Sequence, residues 1–146
     1  MTLEEKRAWI RMIVGVLAYA TYVVIVVRRA DDAPLADVAY AATLLWTIGA
    51  AIVASIAVEI LAQIVAGIAN PRESRVKDVR DKEIGRLGEY TGQSFLVLGA
   101  VVALLMALAD WDQFWIANVI YLAFVLSMVL GSITKVVAYR QYFPQW

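Results

Sequence analysis

Four long apolar runs alternate with short charged stretches along the chain, at about residues 9–27, 35–69, 86–109 and 114–137. A helix needs about 20 apolar residues to cross a hydrocarbon layer of about 30 Å, so each run predicts a transmembrane helix. Arg11 stands near the start of the first run, where a long aliphatic stem lets the charge reach the headgroups. The stretch from Arg28 and Arg29 through Asp31 and Asp32 to Pro34 predicts a short turn. The second run would be about 50 Å long if wholly helical, well beyond the layer, so it must tilt, break or project.

Asn70, Pro71 and Glu73 read as a new helix start, with Asn70 as the cap, proline at the first position and Glu73 completing a capping box. Residues 72–89 are strongly polar, and Glu73 with Lys77, or Asp78 with Lys82, fall one helical turn apart. This pattern predicts a short solvated helical elbow between the second and third spans. The apolar run 95–109 is too short to cross alone, so the third helix is expected to begin near Arg86 and carry Glu89, Tyr90 and Gln93 in its polar end. Asp110 to Asp112 predicts a tight turn, and Tyr139, Arg140, Tyr142, Phe143 and Trp146 form an aromatic and basic tail suited to a membrane interface. The expected fold is all-α: one transmembrane domain over residues 1–146, an integral membrane four-helix bundle.

Composition agrees with that reading. Of the 146 residues, 62% are hydrophobic and 18% charged, where a soluble domain has about half and about a quarter. The formal net charge is zero, which gives no reason to expect a nucleic-acid partner. Charge position is more informative. With four spans, about eleven of the thirteen Lys and Arg residues fall on one side, which the positive-inside rule assigns to the cytoplasm together with both termini and the elbow. The cell membrane is the expected location. Glu4, Glu5, Lys6 and Arg7 precede the first apolar run, and no small-residue cleavage site follows before Arg28, so this helix is expected to be retained. Cysteine and histidine are absent, which excludes disulfides, thiolate zinc sites, and catalysis or haem ligation by these residues. No cofactor is expected, and a metal would need oxygen ligands.

Glu59 is the carboxylate that interrupts an apolar run, with Ser55 and Gln63 one turn to either side. A charge there must face the bundle interior, water or a basic partner, or take up a proton. It is either an ion or proton site or a boundary residue paired with Arg11 or Arg86. Gly85, Gly88, Gly92 and Gly99 share one face of the third helix, continued by Ala103 and Ala107, and Ala123, Ser127 and Gly131 repeat every four residues on the fourth. Such faces let backbones approach closely, and helix packing is the simpler reading than a permeation path or lipid groove. Asp78, Asp81 and Glu83 are interleaved with Lys77, Arg80 and Lys82, a pattern that fits an ion-paired helix better than a metal site. Asn118, Tyr19, Tyr22 and Tyr121 are polar groups within spans, expected to hydrogen-bond between helices.

The stretch Asp78-Val-Arg80-Asp81-Lys-Glu83-Ile84-Gly-Arg86 resembles a signature, Asp-x-Arg-Asp-x-x-Ile before the third helix, of an uncharacterised family of small prokaryotic four-helix membrane proteins. Trp115 to Asn118 and Tyr139-Arg140 also look like that family, whereas Val79 stands where its motif usually has glutamate. The resemblance implies a location in the cytoplasmic membrane and the same four-helix topology, and it brings no activity with it.

Three function classes follow. A structural or regulatory membrane protein, acting through residues 72–89 on a cytoplasmic or membrane protein partner, needs no catalytic group. A small oligomeric transporter or channel would use Glu59. A membrane-embedded enzyme would need a nucleophile with an adjacent base or a metal cluster, and no pattern of either kind is present. Beyond the lipid bilayer, a homo-oligomer is expected, a dimer above other states, because the small-residue faces suit helix association and the chain is too thin to enclose a pore.

Overall fold

A computed structural model describes residues 3–69 and 79–141. Four long helices account for most of them: α1 (Leu3–Ala30), α2 (Ala41–Ala69), α3 (Val79–Leu108) and α4 (Gln113–Gln141). Each is long and apolar enough to cross a membrane. The start expected at Asn70, Pro71 and Glu73, the pairs formed by Lys77 and Asp78, and the tail from Tyr142 to Trp146 lie outside the described residues.

The second apolar run breaks near its start. Leu35–Asp37 forms a single 3₁₀ turn, Val38 is extended, and α2 begins only at Ala41. Pro34 stands at the head of this turn, where its missing N–H costs no ladder hydrogen bond. From Val79 onward, in contrast, the polar residues belong to α3 itself and form no separate short helix. Gly85 and Gly88 do not break the helix, because no glycine in the chain takes a positive φ.

Between α3 and α4 the chain reverses in a few residues. Trp111 donates its N–H to the Met106 carbonyl at 3.1 Å and Asp110 donates to Ala107 at 3.3 Å. This double closure is a Schellman motif, with Asp110 in the left-handed position at φ 53°. Aspartate tolerates that conformation better than most residues, since its short side chain bonds locally. The Asp112 carbonyl then accepts the first hydrogen bond of α4, from Trp115 at 3.0 Å.

Consecutive helices run antiparallel, so the starts of α1 and α3 and the ends of α2 and α4 share one end of the molecule. The main contacts join α3 to α4, α4 to α1, and α1 to α2. The bundle is therefore open, with α2 and α3 at its edges. Of the residues in α2, only Thr43 is fully buried, whereas α4 buries residues along its whole length. Most of the large apolar side chains on α2 and the outer side of α3 are exposed, as lipid-facing surfaces are.

The α3–α4 contact rests on small residues. A Cβ added at Gly92 would stand 2.7 Å from the Ser127 carbonyl oxygen, and one at Gly88 would stand 2.7 Å from that of Gly131. One added at Gly131 would stand 2.8 Å from the Gly88 carbonyl oxygen, and one at Gly99 would collide with Ala123. At Gly88, Gly92 and Gly131 the backbones meet at a distance that only hydrogen permits, and at Gly99 the Ala123 methyl occupies the place of a side chain. At Gly85 nothing lies within 4 Å of the corresponding point. Gly92→Ala should therefore lower thermal stability in detergent by about 1–3 kcal/mol, whereas Gly85→Ala should be neutral or stabilising by up to about 1 kcal/mol. Equal effects of the two substitutions would contradict the α3–α4 contact described.

Candidate functional site: the charged end

Polar residues on α1 secure α2 at two heights. Near one end, Arg29 donates to the Thr43 hydroxyl at 2.8 Å and to the Ala39 carbonyl at 3.3 Å. Near the other, Arg11 forms an ion pair with Glu59. From Thr43 to Glu59 the helix rises about 24 Å, a little less than the thickness of a hydrocarbon layer. The charge-free lengths of the four helices, 12–27, 41–58, 90–108 and 113–134, measure about 24–33 Å. Arg11, Glu59, Glu89 and Lys135 stand together at one limit of this slab, and Arg28, Arg29, Asp110 and Asp112 at the other.

This register fixes the surroundings of Glu59. It faces α1 at the edge of the open bundle, and its side chain keeps 27% exposure, so no ring of helices encloses it. Ser55 is half-buried and Gln63 exposed, and neither joins the Arg11–Glu59 pair. Past Glu59, α2 continues about 15 Å to Ala69 and exposes Ile60, Leu61, Ile64, Val65 and Ile68.

At the same end, α1, α3 and α4 converge on a cleft of about 350 Å³ lined by charged side chains and Tyr139. The Tyr139 hydroxyl donates to Asp81 at 2.9 Å, and Ile84, Ala138 and Tyr139 form a small buried cluster behind it. Arg7 pairs with Glu4 at 2.7 Å, and Arg140 reaches the buried Glu5 at 3.4 Å. Of the cytoplasmic motif expected from sequence, Asp81 and Arg86 line the cleft, Arg80 and Glu83 do not, and Asp78 lies outside the described residues. Among the described residues no group of three carboxylates is gathered as a metal would require. Gly85 belongs to this cleft and makes no helix contact there.

Sequence reasoning left Lys135, Tyr139 and Glu4 out of any site. The available signal was spacing: Gly131, Lys135 and Tyr139 lie four apart, so the cation and the phenol continue the stripe that packs on α3.

The opposite end is apolar and aromatic. Tyr22, Val26, Phe114, Tyr121 and Val125 form its core. Tyr121 stacks edge-on against both Tyr19 and Tyr22, and Tyr40 and Trp115 do the same with Phe114. The Tyr22 hydroxyl donates to Asn118 at 2.8 Å, and the Asn118 amide donates to the Phe114 carbonyl at 2.8 Å. These groups join α1 to α4.

Removing one member of the Arg11–Glu59 pair leaves a charge without its partner at the limit of the charge-free slab. Glu59→Gln should lower stability by about 1–3 kcal/mol, and Arg11→Gln added to it should cost little more, with a coupling of about 0.5–3 kcal/mol in a double-mutant cycle. Additive losses would mean that the pair does not form. In comparisons with known proteins, no family model matches this chain, and no curated protein or solved structure matches it. Its function is therefore argued from the site alone.

Proposed function

We propose that the chain is a multi-pass protein of the cell membrane, of structural or regulatory type, with both termini and the charged end in the cytoplasm. The observation that carries this reading is the Arg11–Glu59 pair. The one carboxylate within an apolar run ties an edge helix to its neighbour at the boundary of the charge-free slab. A carrier of ions or protons instead needs its carboxylate facing water or a cavity inside the protein. The cytoplasmic orientation is supported by the excess of Lys and Arg at the charged end. The exposed apolar sides of α2 and α3 leave room for a second copy, and a dimer is part of this reading. The motif around Asp81 and Arg86 then presents a charged surface to a protein partner.

Proteoliposomes containing the wild-type chain or Glu59→Gln should conduct protons and alkali cations no faster than empty vesicles. A flux abolished by Glu59→Gln would replace this reading with the transport one. A single cysteine placed by Trp111→Cys should react with an impermeant reagent added to intact cells, and one placed by Arg75→Cys should not. The reverse pattern would invert the orientation.

A further inference from the structure

The cleft at the charged end is lined by five cations, Arg7, Arg11, Lys82, Arg86 and Lys135, contributed by three helices. Three carboxylates share its wall, and two of them are engaged: Glu4 holds Arg7 and Asp81 accepts the Tyr139 hydroxyl. Arg11 is held by Glu59. Lys82 and Arg86, one turn apart on α3 and both exposed, have no hydrogen-bond or ion-pair partner among the described residues. Gly85 between them leaves the wall open, since nothing lies within 4 Å of where a Cβ would stand. With Glu89 as the third carboxylate, the result is a hollow with more cations than carboxylates and, at its mouth, two donors that no described residue engages.

Its height narrows the ligand. The charge-free lengths of α1, α3 and α4 end at Arg11, Glu89 and Lys135, so the cleft begins where hydrocarbon gives way to headgroups. Arg and Lys recognise phosphate by charge-assisted hydrogen bonds, which are stronger than neutral ones. Basic pockets between membrane helices at this level bind the headgroups of anionic lipids. Arg86 stands about 5 Å and Lys82 about 10 Å beyond that limit, at the headgroup layer and its water face.

The geometry points to a binding site for a phosphate group, with Lys82 and Arg86 as its principal donors and the headgroup of an anionic phospholipid as the favoured source. The inference rests on the membrane reading and is independent of the structural or regulatory assignment. It gives the charged end a lipid to sense or to stand on.

The test uses the full chain in nanodiscs of phosphatidylcholine, with or without phosphatidylglycerol, read by thermal unfolding and by lipid retention in native mass spectrometry. Phosphatidylglycerol should raise the unfolding temperature and stay bound. The double substitution Lys82→Gln and Arg86→Gln should weaken that retention by about tenfold or more, whereas Arg28→Gln, at the opposite end, should not. Inorganic phosphate added to phosphatidylcholine discs separates the sources. Stabilisation by it that the double substitution removes would assign the site to a soluble phosphate, and no response beside a response to phosphatidylglycerol would assign it to the headgroup. Equal retention by wild type and the double variant, or an equal loss in Arg28→Gln, would overturn the site. So would silence toward both ligands in a chain that enters the discs, while failure to enter them would count against the membrane reading instead.

Discussion

The close approach of α3 and α4 is the contact on which the rest of the structure depends. Lipid tails are as apolar as the side chains they surround, so no hydrophobic force drives two membrane helices together. In the membrane reading proposed above, association must come from tight packing and from polar contacts. Gly88, Gly92 and Gly99 against Gly131, Ser127 and Ala123 supply the first kind along α3 and α4. With α3 held on one flank, α4 offers its other flank to α1, and the Tyr22–Asn118 hydrogen bond and the tyrosine cluster join that pair. Helix α2 brings neither Gly49 nor Gly67 against another helix, and besides its packing on α1 it is tied by polar groups of α1 near its two ends, at Thr43 and Glu59.

The same packing shapes the charged end. Backbones meet at Gly88, and Ile84 and Asp81 still meet Ala138 and Tyr139 beyond it, while Gly85 looks onto open space where the cleft lies. Charged residues then become affordable, because they stand at the limit of the slab and meet one another there: Glu4 with Arg7, Glu5 with Arg140, Glu59 with Arg11. A carboxylate that is isolated among apolar residues in the one-dimensional sequence sits beside a guanidinium in three dimensions.

Much of this was legible in the residues. Run lengths marked four helices long and apolar enough to cross a membrane, and Asp110 to Asp112 marked the tight reversal, since both are local signals. The glycine spacing identified a face on α3, but spacing cannot say where along that face a partner ends, and Gly85 was grouped with its neighbours for that reason. The depth of Glu59 was equally out of reach, because it depends on the antiparallel register of α2 on α1. Arg29 reaching Thr43 is a long-range pairing with no local signature, and although the four-residue spacing set Lys135 and Tyr139 on the face toward α3, it could not say which residues they would meet there. The 3₁₀ turn at Leu35–Asp37 did have one, in Pro34 and Asp37 on either side of an otherwise apolar start.

The central claim is the open order of the helices, which puts Glu59 against α1 and away from any enclosed interior. Because the chain has no cysteine, paired cysteine substitutions treated with a bifunctional thiol reagent whose reach matches an arginine–glutamate pair give an unambiguous intramolecular cross-link on the monomer band. Arg11→Cys with Glu59→Cys should cross-link readily in membranes, and Ile52→Cys with Phe95→Cys, at matching heights on α2 and α3, should not. Efficient cross-linking of the second pair without the first would contradict the account, since it would close the bundle and turn Glu59 away from Arg11.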